Sequence, residues 1–456
     1  MNRALRLPSQ PGPALNRAIV SLALPAVAEN LLLTAATFTD TLMIGWLHNP
    51  AALSALAIGG FINFVLSNLF ASVAVASTSL VARAWGADDP SFGREILGQA
   101  LVFSFLSALV FLLAGYPLAD SLMRLMGLQG EAVSLGAYYL QALLVGNLLF
   151  FPGIVLFGGM RGSGNTRTPM KVTGLVTLLH IFLAYLLIFG AWGFPALGVR
   201  GAALAILTTN AGGGLIVLLL TWRGQGDFFL RVRHLLPRRR LIRQIIRLAG
   251  PAFWEQLIFR TAQLVFMRLV SALGEIALAA HQIANSIESV SYMPGWGFGV
   301  AGTTLSGQYM GAGQSTMAER STWRTMYFSL AVLGTFGLLF LLFGRQLASL
   351  FGSTPEVIAL AGIAIQLGGL EQPGLAVFNV LGGALRGAGD TRSPMLATLA
   401  GVLGARILLV YLFAFVFGWG LAGVWLATSI DWTTRAVFLI IFYRQGRWKR
   451  NTALPA

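Results

Sequence analysis

Cysteine is absent from this sequence of 456 residues, and charge is scarce. Without cysteine the chain forms no disulfide and no thiolate metal site, and four scattered histidines are too few to predict a histidine-built metal centre. The sequence also lacks the Gly-x-x-x-x-Gly-Lys-(Ser/Thr) loop of ATP-driven pumps. Only 10% of the residues are charged, against about 25% in a soluble domain. Most redox and zinc chemistry is therefore excluded, and an ATP-driven pump is not expected.

Long apolar segments fill the sequence instead. Hydrophobic residues make up 56% of the chain, and the mean hydropathy is +0.75. A helix needs about 20 apolar residues to cross a bilayer. Twelve runs reach that length, at 18–46, 52–82, 95–118, 132–159, 170–190, 199–222, 248–273, 277–308, 321–343, 357–384, 394–417 and 421–443. The sequence therefore predicts an all-α integral membrane protein with twelve transmembrane helices.

Basic residues are distributed unevenly between the segments that join these runs. If the amino terminus is cytoplasmic, 24 of the 31 Lys and Arg residues lie on the inner side and three on the outer side. This bias is the positive-inside signal of multi-pass membrane proteins. We therefore expect a protein of the cytoplasmic (inner) membrane with both termini in the cytoplasm.

The most basic segment, 223–247, contains eight arginines and divides the chain. We expect it to be a cytoplasmic linker that touches anionic lipid head groups, rather than a nucleic-acid site. It would separate an amino-terminal lobe at 18–222 from a carboxy-terminal lobe at 248–443. Residues 1–17 and 444–456 are then expected to be cytoplasmic end segments.

The two predicted lobes repeat one another. The segment Arg161-Gly-Ser-Gly-Asn-Thr-Arg-Thr-Pro-Met returns as Arg386-Gly-Ala-Gly-Asp-Thr-Arg-Ser-Pro-Met at an offset of 225, and Glu29 matches Glu255 at 226. Because each copy has six helices, an even number, both copies enter the membrane from the same side and the repeat is parallel. The sequence therefore predicts two six-helix lobes that face a cavity at the middle of the membrane.

Two helix segments accompany the duplicated loops. Asp40-Thr-Leu-Met-Ile-Gly lies in the first helix, and Ala280-His-Gln-Ile-Ala-Asn-Ser-Ile-Glu-Ser, followed by Met293-Pro-Gly, lies in the eighth. With the loops, these segments resemble the multidrug and toxic compound extrusion (MATE) family over residues 15–445. The resemblance implies export of amphipathic, often cationic compounds in exchange for protons or sodium ions, by rocking between inward-open and outward-open states.

Carboxylates within the predicted helices are the candidate functional groups. A charged side chain that faces lipid costs roughly 2.5 kcal/mol or more, so such residues usually face a cavity or a partner. Six acids lie within the runs, at positions 29, 40, 255, 288, 371 and 431. We expect some of them to form a shared site at which the coupling cation and the substrate compete.

In the first helix, Asp40 and Thr37 share one face, and Glu29 returns to within about 20° of it, about 16 Å away along the axis. We expect Asp40 to take part in coupling, with Thr37 beside it. The alternative for Asp40 is a helix-interface carboxylate that is hydrogen-bonded to threonines. Glu29 either joins the site or is solvated near the cytoplasmic end.

The fifth helix departs from the family pattern. Some prokaryotic members pair the first-helix aspartate with an asparagine and an aspartate in the fifth helix, whereas here the corresponding stretch runs from His180 to Ala184 and on to Ile-Phe-Gly. The resemblance therefore places the coupling either on Asp40 alone or in the carboxy-terminal lobe. We expect His180 itself to be a packing residue.

In the eighth helix, His281, Asn285, Glu288 and Tyr292 recur at i, i+4, i+7 and i+11 and form a narrow polar stripe. We expect this stripe to face the cavity. The alternative is a packed polar seam between helices.

Two further acids complete the expected site. Glu255, beside Gln256 in the seventh helix, matches acids that family members carry there, and Glu371 in the tenth helix has no acidic repeat mate. The sixth acid, Asp431, is four residues before Arg435 and is expected to be neutralised by it.

These observations predict a cation-coupled antiporter, not an enzyme, that exports amphipathic, cationic drugs or toxic compounds. We expect a monomer without cofactor, resident metal or nucleic-acid partner, in which either H+ or Na+ is the coupling ion. The main alternative is a flippase for a lipid-linked saccharide or another amphipathic lipid. A flippase for a diphosphate would need a strongly cationic cavity, because a diphosphate is an anion. The predicted helices instead contain six acids and four arginines.

Overall fold

Twelve long helices make up most of the described chain, which in this computed structural model comprises residues 7–8, 10, 12–224 and 229–450. The first six are α1 (Pro13–Gly45), α2 (Pro50–Gly86), α3 (Pro90–Leu125), α4 (Glu131–Gly162), α5 (Arg167–Phe189) and α6 (Val199–Trp222). The second six are α7 (Arg239–Ser271), α8 (Glu275–Gly311), α9 (Ser315–Ser349), α10 (Pro355–Gly387), α11 (Arg392–Val416) and α12 (Gly420–Arg444). The predicted segments 1–17, 223–247 and 444–456 lie partly outside the described residues.

Each of the twelve predicted runs corresponds to one helix, which confirms the predicted number of helices. The largest difference is at α7, which begins at Arg239, inside the range predicted as linker. Leu241, Ile245 and Ala249 recur every four residues and are buried. This start is an amphipathic helix, and a search for uninterrupted apolar runs misses it because arginines separate the apolar residues.

Nine helices within the described residues are long and apolar enough to cross a membrane. The other three, α7, α8 and α10, have 33, 37 and 33 residues. They are the helices that carry Glu255, Glu288 and Glu371. Polar groups lower the mean hydropathy of these helices, and polar groups within a membrane usually serve a function.

Contacts between the helices define two compact units. Among the described residues, the amino-terminal unit comprises 28–81, 90–224 and 229–246, and the carboxy-terminal unit comprises 7–8, 10, 12–27, 82–89 and 247–450. The beginning of α1 belongs to the carboxy-terminal unit because its apolar face is buried in that unit's core. That core includes Leu15, Ile19, Leu22, Leu305 and Leu381.

Within the carboxy-terminal unit, the ends of α2 and α8 approach one another through two glycines. A Cβ atom on Gly86 would overlap the backbone of Gln308, and a Cβ atom on Gly311 would overlap that of Arg83. Gly86 and Gly311 are repeat mates at an offset of 225, and so are Arg83 and Gln308. The contact is therefore reciprocal, as in a two-fold interface, and glycine permits the close backbone approach.

Within the amino-terminal unit, Gln99 on α3 holds the end of the linker. Its Nε2 donates to the carbonyl oxygens of His234 and Leu236 at 2.8 Å each, and its Oε1 accepts from the backbone N–H of Arg238 at 2.9 Å. The guanidinium of Arg238 also pairs with Glu95. This linker clamp fixes the chain just before α7 begins.

Candidate functional site

Asp40 is buried on α1 in the amino-terminal unit and contacts an imidazole. Its Oδ1 lies 2.8 Å from Nε2 of His180 on α5. The other ring nitrogen, Nδ1, lies 3.2 Å from Oγ1 of Thr209 on α6. Three helices thus contribute one side chain each to a buried polar chain. Asp40 therefore has a side-chain partner within its own unit. His180, which we expected to be a packing residue, lies within hydrogen-bond distance of two side chains.

The threonines of α1 use their hydroxyls on their own helix. Thr37 donates to the carbonyl of Leu33 at 3.2 Å, and Thr41 donates to that of Thr37 at 3.0 Å. Such bonds one turn back are common for threonine within a helix. Thr37 is exposed. The partner that fixes Asp40 is therefore the imidazole, not the neighbouring hydroxyls.

Ala184, where some family members carry an aspartate, is fully buried in an apolar cluster with Met43, Leu143 and Ile188. A carboxylate among these apolar atoms would be costly unless it found a partner. His180 lies one turn earlier on the same face of α5. In this chain α5 therefore presents an imidazole one turn away from the expected carboxylate.

Glu29 is buried rather than solvated. Its Oε1 lies 2.6 Å from a guanidinium nitrogen of Arg161, at the end of α4, and 3.5 Å from Oγ1 of Thr173 on α5. Arg161 is the arginine that opens the duplicated loop motif. The motif therefore supplies the counter-charge of an acid on another helix.

The carboxy-terminal unit repeats this arrangement. Oε1 of Glu255 on α7 lies 2.6 Å from a guanidinium nitrogen of Arg386 and 3.2 Å from Oγ1 of Thr398. All three residues are repeat mates of the amino-terminal set at offsets of 225 or 226. Each unit thus carries the same buried acid, arginine and threonine.

Glu288 on α8 and Glu371 on α10 form a carboxyl pair in the carboxy-terminal unit. Both side chains are buried and interact electrostatically with each other, with Tyr292 near Glu288 and Thr428 near Glu371. Two carboxylates that share a buried site repel each other when both are ionised. One proton on this pair removes that repulsion.

Asp431 on α12 is fully buried between two arginines. Its Oδ1 lies 2.7 Å from Nε of Arg435, and its Oδ2 lies 2.6 Å from Nε of Arg406 on α11. The expected pairing with Arg435 is confirmed. Arg406 lies in the π-helical segment Ala400–Ile407, and Gly401 leaves room for the cluster because a Cβ atom there would overlap Asp431.

The charges of these two groups balance only with a proton. Arg406 also interacts with Glu288 and Glu371, which joins the carboxyl pair to the Asp431 cluster. Two arginines and one aspartate leave one positive charge. The carboxyl pair neutralises it when it holds one proton, and losing that proton leaves one uncompensated negative charge in a buried site.

The remaining residues of the expected site do not form one cluster in the structure. His281 packs between the rings of Phe266 and Trp425, with centroids 5.6 and 5.7 Å away. Asn285 is exposed, and Gln256 beside Glu255 is half-buried. Of the predicted stripe on α8, only Glu288 and Tyr292 belong to the carboxyl cluster.

The sequence reasoning missed two arginine partners of these acids. Arg161 and Arg386 carried a signal, because they repeat at nearly the same offset as the two acids they bind. Arg406 was expected either to pair with a nearby acid or to mark a helix end, and it pairs with Asp431.

Two repeated sets of six helices with buried acids define a polytopic membrane protein with an internal duplication. The MatE family profile matches residues 25–186 and 251–412, one match in each half. Over 98% of this chain and 96% of the relative, the sequence is 32% identical to the "Probable multidrug resistance protein NorM" of Thermotoga maritima. The chain belongs to the MatE family.

Two solved structures share the fold. A MOP superfamily transporter from Pyrococcus furiosus aligns with a TM-score of 0.87 at 23% identity, over 96% of this chain and 97% of that one. A MATE protein in complex with MaL6 aligns with a TM-score of 0.88 at the same identity and coverage. The predicted all-helical architecture with an internal repeat is confirmed.

Proposed function

We propose that this chain is a cation-coupled antiporter that exports amphipathic, cationic drugs or toxic compounds by alternating access. Membership of the MatE family and the name of the Thermotoga maritima relative, a probable multidrug resistance protein, support drug export. The proposal concerns the coupling ion, the class of substrate and the residues that link them.

The observation that carries the proposal is the buried carboxyl pair of Glu288 and Glu371. With one proton the cluster around it is neutral, and without that proton it has one negative charge. A cationic substrate in the cavity stabilises the deprotonated form, and protonation weakens substrate binding by the same free energy. Competition of this kind converts an ion gradient into export.

Asp40 supplies a second site of this type in the amino-terminal unit. Glu29 and Glu255 are proposed members of the same transport path, although each is bound by an arginine. For either acid to exchange a cation, Arg161 or Arg386 must move away during the cycle. We propose that Thr37, Gln256, His281, Asn285 and Tyr292 contribute to the walls of the path.

We propose that the protein functions as a monomer in the cytoplasmic membrane with both termini inside, and that the basic segment 223–247 contacts anionic lipids. The chain has no native cysteine, so single cysteines report topology directly. Leu236→Cys should resist an impermeant thiol reagent in intact cells, and Arg124→Cys should react. The reverse pattern would contradict this orientation.

Transport in proteoliposomes, with pH and sodium gradients imposed separately, tests the proposed function. We expect one of the two gradients to drive uptake of tetraphenylphosphonium against its concentration gradient, and we expect the substrate to dissipate that gradient. Asp120→Asn, at an exposed acid, is the matched control. If neither gradient drives any of a panel of organic cations, while a lipid-linked diphosphate is translocated, the flippase alternative holds.

A further inference from the structure

We propose that His180 is a positioning residue that holds one transported proton jointly with Asp40, which makes the amino-terminal site a proton site and not a sodium site. This inference rests on the proposed antiport and names the ion for one of its sites. It starts from the hydrogen bonds of three side chains on three helices.

The hydroxyl of Thr209 fixes the tautomer of the imidazole. Its Oγ1 lies 2.8 Å from the carbonyl oxygen of Ala205, one turn back on α6, and 3.2 Å from Nδ1 of His180. The hydroxyl has one proton, and the shorter contact, to a carbonyl that can only accept, takes it. Oγ1 therefore accepts from the ring, and Nδ1 of His180 carries a proton.

The proton on Nδ1 decides what lies between His180 and Asp40. Nε2 is 2.8 Å from Oδ1 of Asp40, a distance that requires a hydrogen bond. A neutral ring with its proton on Nδ1 has only a lone pair on Nε2, so Asp40 must then be protonated. If Asp40 is ionised, Nε2 must carry the proton and the ring is an imidazolium. Either way, one additional proton is bound between the two side chains.

The pair is electrically neutral with that proton and has a charge of −1 without it. Both side chains are buried, so an uncompensated negative charge there is costly. Among the residues that the structure describes, Tyr139 on α4, a buried phenol, also interacts electrostatically with Asp40. The pair therefore keeps its proton until a cation comes close enough to replace the lost positive charge.

The same geometry opposes sodium at this acid. Hard cations prefer carboxylate, carbonyl, hydroxyl and water oxygens as ligands. Here one carboxylate oxygen faces an imidazole nitrogen, and Ala184 with its apolar neighbours occupies the place where a second carboxylate would stand. A sodium ion at Asp40 would have to displace the imidazole and would gain no second charged ligand from α5.

Nitrogen NMR of the histidine rings tests this assignment directly. The protein is labelled with 15N-histidine, and its four histidines give few signals. The loss of one signal in His180→Gln identifies His180, and if that variant does not fold, the variant His48→Gln/His234→Gln/His281→Gln retains the signal alone. His48, which is exposed, serves as the internal reference signal.

We expect Nδ1 of His180 to carry a proton in the substrate-free protein. Tetraphenylphosphonium, a permanent cation without a titratable proton, should remove the additional proton and shift the Nε2 signal. In Asp40→Asn the amide donates to Nε2, so the signal should no longer respond to pH or substrate. In Thr209→Val the preference for the Nδ1–H form should weaken.

Two results would overturn the inference. One is a neutral ring with its proton on Nε2 and a lone pair on Nδ1 in the substrate-free protein, because Asp40 would then be ionised with no additional proton. The other is a shift of the His180 signal on adding sodium chloride in place of choline chloride at constant pH. Parallel efflux assays separate the proposals: if neither gradient drives transport by the parent protein, the proposed function fails, whereas transport combined with either NMR result removes only this inference.

Discussion

The two units carry different polar pairs at nearly equivalent points of the repeat. In the carboxy-terminal unit Glu288 interacts electrostatically with Glu371, whereas in the amino-terminal unit Nδ2 of Asn147 donates to Oδ1 of Asn63 at 2.7 Å. Asn63 is the repeat mate of Glu288 (288 − 225), and Asn147 follows the mate of Glu371 (371 − 225 = 146) by one residue. Two amides can hydrogen-bond each other without an additional proton, whereas two carboxylates cannot, because ionised carboxylates only accept hydrogen bonds.

The converse holds for the other polar site. Asp40 corresponds to Phe266 (40 + 226), and His180 corresponds to the residue just before Arg406 (180 + 225 = 405). In the carboxy-terminal unit the acid–imidazole contact is thus replaced by a guanidinium that lies 5.5 Å from a phenyl ring centroid. The duplication has kept the acid, arginine and threonine set in both units, while each unit holds a proton-bearing site at a different place.

The largest expected effect is on transport. If this effect were absent, the carboxyl pair would have no role in coupling that distinguishes it from the amide pair of the other unit. In Glu288→Gln and in Glu371→Gln the amide is a donor for the remaining carboxylate, so the two side chains are compatible without an exchangeable proton. We expect loss of gradient-driven efflux with thermal stability close to that of the parent, measured at matched expression. As the control, Asn63→Gln lengthens one side chain of the amide pair in the other unit and should leave coupling intact.

The second prediction concerns Asp431→Asn, which leaves Arg406 and Arg435 buried without their counter-charge. Breaking a buried ion pair from one side costs about 3–5 kcal/mol. We expect a large fall in the melting temperature of the purified protein. Asp120→Asn removes an exposed acid and should melt like the parent. Equal melting temperatures for the two variants would contradict the assigned structural role of Asp431.

The third prediction uses the part of the repeat that both units share. Glu29→Gln and Glu255→Gln each remove the charge that pairs with one arginine, in nearly identical surroundings. We expect similar losses of stability, about 1.5–3 kcal/mol each, the size expected for losing a hydrogen bond to a charged group. Thermal unfolding of the two variants side by side measures the difference. Losses that differ several-fold would show that the two sites are not equivalent.

The smallest effect is expected at the linker clamp. Burial, together with the positive charge of Arg233, lowers the pKa of His234. The neutral ring accepts from the backbone N–H of Arg231 at 3.0 Å. On acidification through the ordinary histidine pKa of about 6.5, the unfolded or released ring binds a proton first, so the clamp loses stability as pH falls.

Hydrogen exchange of the linker amides at several pH values measures this effect. After correction for the intrinsic rate, exchange at Arg231 should accelerate below about pH 6.5. The dependence should vanish in His234→Gln and persist in His48→Gln. A linker whose protection is independent of pH in the parent would contradict the clamp.

The helices could be predicted from the sequence because apolar runs of the length of a bilayer are a local property. The start of α7 could not be found in this way, since arginines interrupt its apolar face. The repeat also placed Glu29 and Glu255 at equivalent points. It did not predict their arginine partners, which are 132 and 131 residues away along the chain.

The contacts of the site depend on packing that a single sequence does not encode locally. His180 is 140 residues from Asp40, and only the relative rotation of α1 and α5 brings the two together. The sequence predicted a stripe of four residues on one face of α8. Only Glu288 and Tyr292 of these four lie at the carboxyl pair, because Glu371 on α10 is placed beside that part of the helix. Polar residues within apolar helices therefore indicated the candidate residues, whereas the contacts seen in the structure determine what each residue can do.

The central claim is that a cationic substrate displaces protons from one acid site in each unit. The most direct test counts the protons that the purified protein releases into weak buffer for each tetraphenylphosphonium ion bound, with sodium absent. We predict release by the parent protein, partial release by Asp40→Asn and by Glu288→Gln/Glu371→Gln, and none by the variant that combines all three substitutions. Release by the combined variant at the level of the parent would contradict the account.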